Sequence, residues 1–174
     1  MTSAQFGALS STDIQGFTTT QFSALTSTQL GTLSTDTVSN LSTTQFASLN
    51  STQARGLTTT QLNALTSDNL NALDVSGLTT AQLNGLNTTQ VDALTDTQVA
   101  DISATQIAVL SSTSLNTLST TDIAAFSTTQ AQALTSTQLN ALSAGNLGSV
   151  DITKLTTTQV SGLNATAVLS LIHI

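Results

Sequence analysis

Serine and threonine hydroxyls fill this 174-residue chain, yet a hydroxyl becomes a nucleophile only beside a base, and the single histidine is His173. That residue falls at 169–174, where the pattern of the rest of the chain stops, so a Ser/His/Asp triad lacks its base and His173 is given no role. The absence of cysteine removes disulfides, thiol nucleophiles and thiolate metal sites, and is compatible with either redox compartment. Asp74 and Asp151 stand 77 residues apart and could each supply one ligand to a cation. Calcium needs about six to eight oxygens, usually several of them carboxylate, and nothing nearby offers them. Each of these two residues is better read as an N-cap or turn residue. Asp92, Asp96 and Asp101 are close in sequence but fall at unrelated positions of the repeat, so they are expected in solvent, as are the only cations, Arg55 and Lys154. There is no P-loop, dinucleotide fingerprint or histidine metal motif. The expectation is no enzyme, with catalytic, cofactor-binding and metal residues all none.

Composition narrows the class further. All nine acidic residues are Asp, the net charge is −7, and only 6% of residues are charged, against about one quarter in an ordinary globular domain. With two cations, a nucleic-acid backbone would find almost no counter-charge, so nucleic-acid binding is excluded. An apolar content of 39% argues equally against a disordered tail. No apolar run approaches the roughly 20 residues of a membrane span. The start Met1-Thr2-Ser3-Ala4 has neither a basic flank nor an apolar stretch, so no signal peptide is visible.

What must position these residues is a repeat of eight. From Met1 the octads run MTSAQFGA, LSSTDIQG, FTTTQFSA and on to LTSDNLNA, ending at Ala72. Five residues follow, Leu73-Asp74-Val75-Ser76-Gly77, and octads resume at Leu78. A second series of nine ends at Ser149, followed by Val150-Asp151-Ile152-Thr153-Lys154 and then LTTTQVSG from Leu155. Irregularities in the two series coincide. The seventh octad has Ala54 or Ala131 in place of a large apolar residue, the fifth has Thr37 or Ser114 in place of Gln, and the ninth has Asn69 or Asn146. A 77-residue super-repeat is therefore nested over the octad, giving 1–77, 78–154 and a truncated 155–168 within one continuous array.

Within an octad, position 1 is a large apolar residue, position 2 is Thr, Ser or Asn, position 5 is usually Gln and position 6 is again apolar. That is the signature of a helix start: an N-cap at position 2, a capping box closed by the Gln three residues on, and a hydrophobic staple between positions 1 and 6. In 57–64 the cap is Thr58, its partner Gln61, and the staple Leu57 with Leu62. Asn63, Gly56 and Gly85, at positions 7 and 8, are expected to end helices in the left-handed region. One continuous helix is excluded, because eight residues at about 100° each drift the apolar stripe by about 80° per octad. Burying two large side chains does not offset the entropy of ordering eight residues, so each unit needs neighbours and the array is the folding unit. The expected fold is all-α, a solenoid or superhelix of short capped helices, one per octad, with the five-residue pieces as an abbreviated tenth unit or a corrective joint. A β-solenoid is the alternative, but it leaves the recurring Gln unexplained.

The octad LTTTQLNA resembles the Thr/Gln-rich repeats of very large, adhesin-like surface or secreted proteins of proteobacteria. The resemblance covers 1–168 and implies extracellular or cell-surface exposure, a stalk, spacer or interaction-surface role, and no catalytic residues. An unknown protein or surface partner and end-to-end self-association through the repeat ends are the expected contacts. Ordered Thr rows raise ice binding as a second function. Such arrays resemble β-solenoids with Thr at alternate positions, whereas here positions 2 to 4 are adjacent and position 2 is committed to capping. The tail Leu169-Ser170-Leu171-Ile172-His173-Ile174 resembles a translated transposase mosaic-end sequence from sequencing libraries. LNATAV at 163–168 still tracks LNTTQV at 86–91 before similarity stops, so 169–174 is expected to be a non-native tail on a metagenomic fragment.

Overall fold

The computed structural model describes residues 2–172, and among them it holds twenty α-helices, two 3₁₀ turns and no strand. The chain is thus all-helical, one helix per octad, and the strand solenoid is not its fold. Nearly every helix has four to six residues, and a position-2 side chain caps it as expected. In 57–64 the Gln61 N–H donates to Thr58 Oγ1 at 3.2 Å, and the Thr58 N–H donates back to Gln61 Oε1 at 2.7 Å. Leu57 and Leu62 are both buried in the core.

Helix ends depart from expectation. No described residue, glycine included, has a positive φ. Instead the helix tightens: the position-1 N–H of the following unit donates three residues back, as Leu65 does to the Leu62 carbonyl at 3.3 Å. Ala64 remains right-handed at φ −96°, ψ −4°, and the chain then extends through position 2, with Thr66 at φ −69°, ψ 158°. Asn63, Gly56 and Gly85 are therefore not left-handed caps. The glycines are needed for close approach between turns. A Cβ on Gly56 would sit 2.2 Å from the Ser27 carbonyl oxygen, and one on Gly85 would sit 2.6 Å from Thr59 Cγ2.

Each unit packs on the third unit along. Ser3–Gly7 lies against Ser27–Thr32, Ser11–Gln15 against Thr35–Ser39, and Thr19–Ser23 against Thr43–Ala47. Three units thus make one turn of a three-sided rod. The five-residue pieces keep this count, because Val75–Gly77 packs on Ser51–Ala54 in one direction and Asp96–Asp101 in the other. Each is an octad without positions 3 to 5. Asp74 accepts from the Ser76 N–H at 3.0 Å, Val75 takes the place of position 6, and the Leu78 N–H closes on the Val75 carbonyl at 3.1 Å. One continuous apolar core, built from positions 1 and 6, runs the length of the rod.

The helix Ala165–Ile172 is longer than the others at eight residues and carries 169–172 of the expected tail, with Leu169 exposed. His173 and Ile174 lie outside the described residues.

Candidate functional site

Backbone hydrogen bonds do not join the turns: every one outside the regular helices spans four residues or fewer among the described residues. The polar links between turns come from side chains, chiefly the position-5 Gln. Its carbonyl oxygen is used in the capping box, and its Nε2 points the other way. Gln61 Nε2 donates to the carbonyls of Leu30 at 3.0 Å and Leu33 at 2.7 Å, and Gln138 Nε2 to those of Ile107 and Leu110 at 2.9 and 2.8 Å. In each case the acceptors are the last apolar residue of one unit and the first of the next, at the corner beneath. Sequence offsets are 31 and 28 in these pairs. They fall to 28 and 25 where a five-residue unit intervenes, as for Gln98 on Leu70 and Leu73. The position-5 glutamines from Gln45 onward are buried, and this second bond satisfies an amide that would otherwise be desolvated without a partner.

The substitutions at position 5 divide the two tasks. Asn69 and Asn146 are too short to do both: Asn69 Nδ2 reaches Ser39 and Leu41 at 3.2 and 2.9 Å, with no return bond to the cap N–H. Thr37 and Ser114 keep only a hydroxyl pair with their caps, Ser34 and Ser111. Asp13 and Asp122 keep the capping box and have no N–H to send downward. Asp13 is in the first turn, exposed, and hydrogen bonds from the Ser10 hydroxyl and backbone hold its carboxyl below the usual range. Asp122 is buried with Oδ1 lacking any partner.

A second set of links runs upward from position 7. Asn63 Nδ2 donates to the Gly85 carbonyl at 2.9 Å while its Oδ1 accepts the Asn87 N–H at 2.8 Å. Asn140 repeats this with Gly162 and Asn164, and Asn116 with Ala141 and Ser143. Because Asn63 takes the Asn87 N–H, the capping oxygen of Gln90 is left without a partner.

Both cations belong to this system, although the sequence suggested only surface residues. Arg55 occupies a position-7 slot and its Nε donates to the Gly77 carbonyl at 3.0 Å. Lys154 Nζ donates to the Phe126 carbonyl at 2.7 Å, in place of the Gln that its shortened unit lacks, and lies 3.8 Å from Asp151 Oδ2. Each cation pins one five-residue unit to the adjacent turn. Asp151 also accepts from the Thr153 hydroxyl and N–H, which, with Lys154 beside it, lowers its pKa.

No concentrated chemical site accompanies this ladder. Asp74 and Asp151 are turned onto their own units, and no three His, Cys, Asp or Glu side chains converge as a metal cluster among the described residues. An open groove of about 380 Å³ beside Arg55 is lined by Ser27, Thr28 and Thr52 with Gly31 and Gly56. Position-2 hydroxyls are engaged in caps, while most position-3 and position-4 residues face solvent. Among the described residues no helix is long and apolar enough to cross a membrane. A family model described as the ALTTAQ repeat matches residues 1–35, 38–75 and 74–104. No curated protein and no solved structure matched the chain.

Proposed function

The chain belongs to the ALTTAQ repeat family, and from that premise we propose that it is a non-enzymatic scaffold, a stalk or interaction surface within a larger bacterial surface or secreted protein. The observation that carries this reading is the distribution of chemistry along the rod. Most units spend the polar side chains of positions 2, 5 and 7 on their own cap and on the adjacent turn, and none among the described residues gathers groups into a reactive cluster. A rod with one continuous core sets distance and orientation, and its length grows with unit number. The wetted face of hydroxyls and amides, poor in charge, suits an extracellular setting and a partner that reads a repeated polar surface. The test is to tag an exposed position-3 residue, Thr128, with cysteine in the full-length protein and label intact cells with an impermeant maleimide. Labelling before lysis is the expected result; labelling only after lysis sinks the surface assignment. Excising the 77-residue block 78–154 should shorten the particle seen by small-angle scattering while leaving the helical spectrum per residue unchanged.

A further inference from the structure

Asn84-Gly85 is the one Asn-Gly pair in the sequence, and two structural demands meet there. Asparagine at position 7 is an upward link, and Asn84 Oδ1 accepts the Ser111 N–H at 2.8 Å. Glycine at position 8 lets two turns approach, since a Cβ on Gly85 would lie 2.6 Å from Thr59 Cγ2. The other position-7 asparagines, Asn63, Asn71, Asn116 and Asn140, are followed by Ala or Thr. In the next block Gly162 makes the same close approach, but it follows Ser161 and not an amide.

An asparagine followed by glycine is open to attack by its own chain, because no Cβ shields the glycine nitrogen. The Gly85 nitrogen adds to Asn84 Cγ and a C–N bond forms. Asn84 Nδ2 leaves as ammonia, taking the proton that the Gly85 nitrogen gives up. Water then opens the cyclic imide at either carbonyl, to aspartate or isoaspartate. The closed rod holds both groups off this path. The Gly85 N–H donates to the Ala81 and Gln82 carbonyls at 3.0 and 3.2 Å, and its carbonyl accepts from Asn63 Nδ2. The Asn84 side chain is drawn upward to Ser111.

That upper hold is thin. Among the described residues, the unit 110–117 makes a single side-chain hydrogen bond to the turn beneath it, the one to Asn84. Ser114, where other units place Gln, pairs only with its own cap Ser111. One turn on, the same register carries two links. The Ser143 N–H donates to Asn116 Oδ1 at 2.7 Å, and Asn146 Nδ2 donates to the Leu115 and Leu118 carbonyls at 3.1 and 3.2 Å. We infer that Asn84 is a site of spontaneous deamidation, gated by the opening of unit 110–117 from the turn beneath. Asn84 is exposed, so water reaches it as soon as that unit lifts. Isoaspartate adds a methylene to the backbone where Gly85 meets Thr59, so the rod keeps a covalent record of having opened.

The test is to age the folded full chain at mildly alkaline pH and locate the amide-to-acid mass change by fragmentation mass spectrometry. Conversion is expected to concentrate at Asn84. Ser114→Gln, which supplies the missing amide, should convert about fivefold more slowly than wild type when folded. Unfolded in urea, the two proteins should convert at the same rate. Equal rates in the two folded proteins would overturn the gate. Conversion spread evenly over the other asparagines, or absent at Asn84 while the unfolded chain reacts, would overturn the site. Wild type decides alone if Ser114→Gln does not fold. In sub-denaturing urea its Asn84 conversion should rise in step with hydrogen exchange of the Ser111 amide, and a rise without that exchange would overturn the proposal.

Discussion

The two five-residue units share a pattern but not a fate. Val75 is 1% exposed, whereas Ile152, the equivalent residue of the second unit, is 47% exposed. Gly77 ends the first unit so tightly that a Cβ would lie 2.8 Å from Ser51 Cβ, while Lys154 ends the second with a long arm to Phe126. The first unit has Gln106 above it, whose Nε2 donates to Leu78 at 2.9 Å; the second lies in the last full turn. A residue in this rod is buried by the turn above it more than by its own neighbours in sequence. Local sequence sets the cap, and position along the rod sets the burial.

That contrast can be broken most severely at the apolar residue. Val75→Ser should destabilise the array by about 3 kcal/mol, through lost burial and a hydroxyl placed in the core, while Ile152→Ser stays within about 0.5 kcal/mol. Equal losses in urea titrations of the two variants would show that the turn above contributes nothing. A second difference lies in the ladder. Gln106→Glu retains an oxygen for the Ser103 cap but turns a carboxylate oxygen toward the Val75 and Leu78 carbonyls, and should cost about 2–3 kcal/mol. Glu and Gln would be equivalent here if capping were the only task, so an unchanged midpoint would refute the second one.

The pins give smaller effects. Lys154→Met should cost about 1 kcal/mol by denaturant unfolding, since it removes a charged hydrogen bond that is only partly shielded from water. Asn63→Ser should cost a comparable amount, because it leaves Gly85 and Asn87 without their link. The smallest effect is that of pH on the Asp151 cap. Its carboxyl is lowered in the folded protein by the Thr153 hydroxyl and N–H, so its contribution is present above about pH 4 and is lost as pH falls through the lowered folded value. The stability difference between wild type and Asp151→Asn should therefore shrink on acidification; a gap that widened would reverse the sign of this linkage.

Capping, register and both apolar positions were legible in the octad because they are local: Thr58, Gln61, Leu57 and Leu62 lie within six residues of one another. The number of units per turn was not, since alike units leave no sequence mark at offsets of 25 to 31. Asn63 was misread for that reason, its partners lying 22 and 24 residues ahead. Arg55 and Lys154 likewise reach 22 and 28 residues away. One signal did point beyond the unit. Glu closes a capping box as well as Gln does, yet the chain contains no Glu at all. The choice of Gln and never Glu marks a residue whose nitrogen is also needed, and Asp122 is one of the places where that need goes unmet.

Ten units fill each 77-residue block, one more than three complete turns, so the shortened unit moves to the next side of the rod with every block. Only after three blocks does it return to the side from which it started. Any mark carried once per block, such as a bound partner or a charge, is thereby dealt out in rotation around the axis. A long array of such blocks would display its copies radially, like bristles on a bottle brush. It could not lie on a flat surface with all of them in contact.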